Sequence, residues 1–335
     1  MNQPNVTLHL GDCLEVMAGM ETGSVDCAIL DPPYFEIVGA DWDNAWDSLQ
    51  EYIDWLALCA NQWRRVLKDN GSLYVFCDDK VAAYVQVMLD QKFLLLNNLV
   101  WYKTNNLPIK NVYSLRSYAP MTERILFYTC EYDPTGWQSV KLDMNNFMPL
   151  REYFRQYQEA LGLTKRKIID AIGQPADHCF RWNSTQWDLP TPETYAELGK
   201  LPINNGFLRR EYEFLRREYE DLRREYEDLR REYEDLRRTF NSDGKTLDVI
   251  TGPIITQAEN TDHPTTKPTW IYRRLIEVST NPGDTVLDCY LGSGTCGIAC
   301  AQTGRRLVGI ESNPTYFAIA EKRINDARMQ LRLGI

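Results

Sequence analysis

The stretch Val25–Phe35, VDCAILDPPYF, concentrates groups that could do chemistry. An apolar run ends in Asp31, and Pro32, Pro33 and Tyr34 follow. Two prolines fix φ and remove two backbone donors, which leaves carbonyl acceptors on a rigid turn. Asp31 adds a carboxylate acceptor and Tyr34 a flat aromatic face. Acceptors beside a stacking ring suit a planar group that bears an NH₂. A proline-rich turn with a packed tyrosine would look the same, so the tetrapeptide needs a companion.

Leu287–Thr295, LDCYLGSGT, is that companion. A strand ends in Asp288, and a turn containing Gly292 and Gly294 opens a helix. VGIE at Val308–Glu311 ends the next strand in an acid 23 positions after Asp288. Glycines let a backbone approach a ligand closely, and the distal acid can accept two ribose hydroxyls. The spacing is D-x-x-x-G-x-G, not G-x-G-x-x-G, so a nicotinamide dinucleotide is the poorer fit. A tight turn with an incidental surface glutamate is the plain alternative.

The elements that must position these groups alternate. Val6–Leu10, Val25–Leu30, Ser72–Cys77, Leu96–Tyr102 and Glu123–Tyr128 read as strands. Leu49–Leu67 carries Tyr52, Trp55, Leu56, Cys59 and Trp63 at helical spacing, and a helix follows through Val81–Leu89. Strands return at Thr285–Asp288 and Arg306–Ile310. Helices return at Trp270–Ser279, after the glycine turn, and from Pro314, a first-turn proline, to about Met329. Unbroken apolar strands between helices predict an α/β fold with buried, mostly parallel strands. Glu131 to about Glu259 breaks the alternation. One α/β domain built from both chain ends, with an insertion between them, is the simplest reading.

Composition sets bounds. The 335 residues carry a net charge of −10, so any nucleic-acid contact must come from local basic patches. Nine cysteines without a C-x-x-C pair, and three histidines, argue against a zinc site or a disulfide framework and suit a reducing cytoplasm. No signal-peptide pattern opens the chain, and no apolar run is long enough for a membrane helix.

DPPY followed by DCYLGSGT resembles the S-adenosylmethionine-dependent DNA amino-methyltransferases, in the permuted β class where the catalytic motif precedes the cofactor motif. GDCLEVM at Gly11–Met17, VWYK at Val100–Lys103, ERILFY at Glu123–Tyr128, HPTTKP at His263–Pro268 and ESNPTYFAIAEKRI at Glu311–Ile324 extend the resemblance in order. Cys289, Tyr290 and Cys296 depart from the usual proline, phenylalanine and threonine. The resemblance implies a Rossmann-like fold with a mixed seven-stranded sheet and S-adenosylmethionine as cofactor. It implies catalysis by Asp31, Pro32, Pro33 and Tyr34. Cofactor contacts are expected from Asp12, Cys13, Asp31, Thr266, Lys267, Asp288, Tyr290, Gly292, Ser293, Gly294, Thr295, Glu311, Ser312 and Asn313, with no metal. Aspartate at the head of the tetrapeptide implies adenine-N6 as the target, in double-stranded DNA, of a phage or bacterial enzyme. Cytosine-N4, RNA and protein glutamine are alternatives within enzymes.

The insertion predicts a DNA reader. LREYFRQYQEALGLTKRKIIDAIG from Leu150 resembles a helix-turn-helix with a turn at Gly162–Leu163 and a second helix over Thr164–Ile172. Arg151–Trp187 holds six basic residues (151, 155, 165, 166, 167, 181) and four acidic ones (152, 159, 170, 177), a net of +2. Lys165, Arg166 and Lys167 suit phosphates, and His178, Arg181, Asn183 and Gln186 suit base edges. A surface helical pair with solvated charges competes with this reading.

Next comes RREYEDL, written three times from Arg216 to Leu236. Tyr212, Tyr219, Tyr226 and Tyr233 at a, with Leu215, Leu222, Leu229 and Leu236 at d, make an apolar seam. Glu213–Arg217 and Glu220–Arg224 are i,i+4 pairs in the favourable order. A long helix is expected to pack this stripe on a partner chain, as a homodimer, or on its own recognition module. The expected domains are 1–135 and 241–335 (catalytic), 136–206 (target recognition) and 207–240 (heptad helix). A helix-turn-helix regulator without enzymatic activity is the opposing class, but it would need neither DPPY nor a cofactor turn.

Overall fold

The computed structural model describes residues 5–35, 45–104, 118, 120–130, 147–182, 184–203, 207–236, 238–244, 246–254 and 266–333, the side chains of 232–236 and 333 apart. The chain divides into two compact units, Met1–Pro134 with Arg238–Ile335, and Thr135–Arg237.

The first unit begins β1 (Val6–Leu10), α1 (Cys13–Ala18), β2 (Val25–Leu30), α2 (Leu49–Val66), β3 (Leu67–Cys77), α3 (Ala82–Leu89), β4 (Leu94–Lys103) and β5 (Thr122–Thr129). The second unit supplies α4 (Met148–Leu161), α5 (Lys165–Ile172), α6 (Pro192–Leu198) and α7 (Tyr212–Leu236). The first unit resumes with β6 (Val249–Gly252), α8 (Thr269–Ser279), β7 (Thr285–Asp288), α9 (Thr295–Thr303), β8 (Arg306–Glu311) and α10 (Pro314–Leu333). No described helix is long and apolar enough to cross a membrane.

Among the described residues, eight strands form one sheet in the order β1-β8-β7-β2-β3-β5-β4-β6, where seven were expected. The addition is β6, whose four residues VITG pair in parallel with β4 at the sheet edge. It alternates exposed and buried along its short length, too little pattern to stand out in an irregular stretch. β5 alone runs antiparallel to its two neighbours. The other pairings are parallel. β5 therefore enters the sheet at the edge where the parallel strands leave it.

Helices cover both faces. On β2, Ala28 and Leu30 face the core under α1, α2 and α3, while Cys27 and Ile29 face the core under α8, α9 and α10. That is why β2 reads as unbroken apolar sequence. α2 begins at Ser48, whose side chain accepts from Glu51 N at 3.2 Å, and Glu51 in turn accepts from Asp47 N at 3.0 Å. Its buried face holds Tyr52, Leu56, Cys59, Ala60, Trp63 and Val66. Each large side chain so buried contributes about 1.5–3 kcal/mol.

The second unit has its own core. Leu150, Phe154, Tyr157 and Leu161 of α4 meet Ile168 of α5, Phe180, Trp187, Leu198 of α6 and Leu215 of α7. Gly162, at φ 62°, ends α4, and Thr164 caps α5 by accepting from Lys167 N. Tyr212, Tyr219 and Leu222 of α7 pack against this core, and the Tyr219 ring stacks on Phe147 at 4.6 Å. The stripe thus packs on its own module, whereas Leu229 is 44% exposed. The helix charges pair in the order opposite to that expected. Glu220 binds Arg216 at 3.1 Å and Glu227 binds Arg223 at 2.9 Å, while Arg224 turns to Asp221. Asp221 and Asp228, three residues before Arg224 and Arg231, supply those two arginines with a carboxylate partner.

Candidate active site

Four neighbouring parallel strands end at one edge, and each ends in an acid or just before one. β1 leads to Gly11–Asp12, β2 to Asp31, β7 ends at Asp288 and β8 at Glu311. The carboxyl edge of an open α/β sheet is where ligands bind. A cavity of about 460 Å³ opens there. Asp12, Cys13, Asp31, Pro32, Pro33, Tyr34, Thr266, Lys267, Tyr290, Gly292, Ser293, Thr295, Glu311, Ser312 and Asn313 all line it. The structure therefore gathers into one cavity residues that lie far apart in the chain.

Asp288 and Gly294 lie behind the lining. Asp288 is buried, and its carboxylate accepts from Tyr290 N at 3.1 Å, so it shapes the turn. Burial pushes its carboxyl up to about 8. Gly294 adopts φ 82° at the start of α9, and a Cβ there would lie 2.9 Å from Ala320 Cα and Cβ. Only glycine allows the turn to close on α10.

Local capping fixes the remaining groups. Asp12 accepts from Leu14 N at 2.8 Å and Glu15 N at 3.2 Å at the start of α1. Asn313 accepts from Thr315 N at 2.8 Å at the start of α10, whose Pro314 takes the first turn. Glu311 accepts from Gly292 N and Asn313 N, both at 2.8 Å. Burial raises its carboxyl above the ordinary range, against those N–H groups.

Beside the tetrapeptide lies a buried ionic lattice. The Lys267 ammonium donates to Asp31 Oδ2 at 2.8 Å, Asp31 Oδ1 at 3.0 Å and Glu123 Oε1 at 3.0 Å. The Tyr34 hydroxyl lies 2.6 Å from Glu123 Oε1 and 2.9 Å from Asp31 Oδ1, and donates between them. Lys103 bridges the other Glu123 oxygen at 2.8 Å. Burial raises the Asp31 carboxyl, against the pull of Lys267. Burial also opposes charge on Glu123 and on Lys267. The two lysines nevertheless hold Glu123 below its usual range, and the two carboxylates hold Lys267 above its own.

A family profile described as DNA methylase matches residues 25–322. The chain belongs to this DNA methylase family. The methyltransferase is similar to the DNA adenine methyltransferase YhdJ of Escherichia coli K12, 26% identical over 329 residues that cover 97% of this chain and 84% of the relative. It is likewise similar to the type II methyltransferase M2.LlaDCHI of Lactococcus lactis subsp. cremoris, 26% identical over 339 residues, 96% of this chain and 90% of the relative. Among solved structures, the M1.HpyAVI–SAM complex shares the fold at a TM-score of 0.53 and 19% identity, over 96% of this chain and 99% of the other. The cytosine-N4-specific PvuII DNA methyltransferase does so at a TM-score of 0.52 and 15% identity, over 100% and 96%.

In the methyltransferase's second unit the expected DNA contacts divide. Arg166 and Lys167 are exposed on α5. Lys165 and Arg181 both bridge the Asp177 carboxylate, and Arg181 also binds the Gln186 side chain. His178 Nδ1 lies 3.1 Å from the Gln186 carbonyl oxygen. Lys165, Arg181, His178 and Gln186 thus all have partners within the unit. Asn183 lies outside the described residues, as does His263 of the HPTTKP segment.

Sequence reasoning missed Glu123 and Trp55 in the site. Glu123 is 5% exposed, a charge at the head of the apolar strand ERILFY, and that contrast was its signal. Trp55 stood on the apolar face of α2, where it reads as core; it is half-buried and lines the cavity, 6.0 Å from the Tyr290 ring.

Proposed function

We propose that this methyltransferase transfers a methyl group from S-adenosylmethionine to the exocyclic N6 amine of adenine in double-stranded DNA, at a specific sequence. The convergence of Asp31–Tyr34 and the Gly292–Glu311 turn on one cavity carries the proposal. The cavity volume lies in the usual range for a small-molecule site. Glu311, which lines the cavity and is oriented by the Gly292 and Asn313 N–H groups, suits a ribose diol. Tyr290 and Trp55 offer aromatic faces, and Asp12 and Cys13 close the far side. When bound, the cofactor supplies an electrophilic methyl on a sulfonium centre.

The chain's own residues do the rest. An aromatic amine is a poor nucleophile because its lone pair is delocalised into the ring. Asp31 and the Pro32 carbonyl accept its two N–H groups, which favours a pyramidal nitrogen with its lone pair directed at the methyl group. Catalysis is then mainly positioning and electrostatics. A base inside a duplex cannot reach the edge of the sheet, so it is extruded and stacks on Tyr34. Aspartate at the head of the tetrapeptide supports adenine, as does the name of the YhdJ relative. Arg166 and Lys167 offer phosphate contacts, and Leu229, 44% exposed on the heptad seam, offers an apolar contact for a second subunit.

The test is transfer of labelled methyl groups to duplex DNA, followed by digestion and mass spectrometry of the nucleosides. N6-methyladenine is expected; N4-methylcytosine alone overturns the base assignment. Asp31→Ala is expected to abolish transfer while cofactor binding persists, and retained methylation in that variant sinks the mechanism.

A further inference from the structure

We propose that Glu123 is a positioning residue of the methyl-transfer centre, setting the orientation of the Asp31 carboxylate and its strength as an acceptor through Lys267 and Tyr34. The inference rests on Asp31 as the acceptor for the target amine.

The topology brings Glu123 there. Because β5 is antiparallel, Arg124 sits opposite Cys77, the last residue of β3, and Thr122 sits opposite Tyr102 near the end of β4. Glu123 thus opens β5 at the same edge where the parallel strands deliver Asp31. Lys103, the last residue of β4, arrives beside it.

The lattice contains two carboxylates and two ammonium groups. Lys267 is shared between Asp31 and Glu123, and the single Tyr34 hydroxyl proton is shared between the same two. Both shared donors are thereby kept from belonging wholly to Asp31. Glu123 is also held by Lys103, whose side chain is 19% exposed, so it stays charged while Asp31 takes part in the reaction. If Glu123 is made neutral, Lys267 pairs with Asp31 alone and Tyr34 donates to Asp31 alone. The lone pairs needed for the target amine are then occupied.

During transfer the methyl C–S bond breaks with its electron pair left on sulfur, and the N–C bond forms from the amine lone pair. The nitrogen gains positive charge and sheds one proton to Asp31, which later yields it to water. Asp31 must therefore start ionised, and its titration sets the acid limb of the rate. Among the described residues, the titratable groups facing it are Lys267, Tyr34, Glu123, Cys77 of β3, Tyr272 of α8 and Asp288 of β7. The Glu123 charge raises the Asp31 carboxyl. Removing that charge moves the acid limb to lower pH, and removing the Lys103 charge, which frees Glu123 to draw Lys267 away, moves it to higher pH.

The experiment measures single-turnover methyl transfer to duplex DNA against pH for wild type, Glu123→Gln and Lys103→Met, with cofactor affinity by calorimetry. Glu123→Gln is expected to slow transfer about 10- to 100-fold, to leave cofactor affinity within about threefold, and to lower the acid limb. Lys103→Met is expected to raise it. An unmoved limb in either folded variant, or a wild-type rate in Glu123→Gln, overturns the proposal. If Glu123→Gln fails to fold, the Lys103→Met limb decides alone. Transfer is counted on whichever base accepts it, so an N4-methylcytosine product overturns the adenine assignment and leaves this comparison standing.

Discussion

Gly292 donates its backbone N–H to one oxygen of Glu311, and the other oxygen receives the N–H of Asn313. The glycine turn after β7 and the acid at the end of β8 are therefore one hydrogen-bonded unit. Glu311→Ala removes a charged acceptor and leaves two backbone donors unpaired, a loss of about 1.5–3 kcal/mol. Titration calorimetry should show cofactor affinity reduced at least about tenfold, since each 1.4 kcal/mol is a factor of ten. Unchanged affinity would remove Glu311 from the cofactor site.

Asp288 gives a pH dependence of stability. Burial pushes its carboxyl up to about 8, so the folded state holds a proton there that the unfolded chain has lost. The contribution is fully present below the ordinary aspartate range. It falls as pH rises, until the folded carboxyl also ionises near 8. Urea denaturation at pH 5 and pH 8 should show a decline that Asp288→Asn flattens, because the amide stays neutral and still accepts from Tyr290 N. An equal slope in both proteins would exclude Asp288 as the source.

The heptad helix should be energetically uneven along its length. Leu215 is fully buried in the core of the second unit, and Leu215→Ala is expected to cost about 2–5 kcal/mol. Leu229 is largely exposed, and Leu229→Ala should fall within about 0.5 kcal/mol in the monomer. Thermal or urea melts of the two variants check this. A concentration-dependent loss in Leu229→Ala would identify a subunit contact.

Asp177 ties down two of the cations expected to face DNA, and Arg181 and Lys165 hold its carboxyl down at about 2. Asp177→Asn should release both. Non-specific DNA affinity should rise, with a salt slope steeper by about 1–2 in log–log units. Filter binding over a series of salt concentrations measures it. An unchanged slope would mean that Lys165 and Arg181 do not reach phosphates.

What the sequence made legible follows its periodicity. Ala28 and Leu30 on one face, with Cys27 and Ile29 on the other, declared a strand buried on both sides, and the fold class followed. DPPY and DCYLGSGT were readable because prolines and glycines restrict the backbone locally. Glu123 was not, because its role depends on β5 running against its neighbours, and strand direction leaves no mark on local pattern. β6 was too short to declare itself. The insertion's net charge of +2 carries no record of pairing, and Asp177 gathers Lys165 and Arg181 through contacts that only the folded chain makes. The arginine–glutamate pairs of α7 took the opposite order because both orders occur in one repeat and Asp221 competes for Arg224.

The first part of α7 packs against the core of its own unit as far as Tyr226, whose ring lies 6.4 Å from that of Phe147, while Leu229 is 44% exposed. Seven residues advance a helix about 10 Å and fall only about 20° short of two full turns. Gaining or losing one RREYEDL phrase would therefore change the reach of this arm in fixed steps while its apolar stripe kept nearly the same bearing. The repeat works as a ruler whose length can be reset without redesigning the module that holds it.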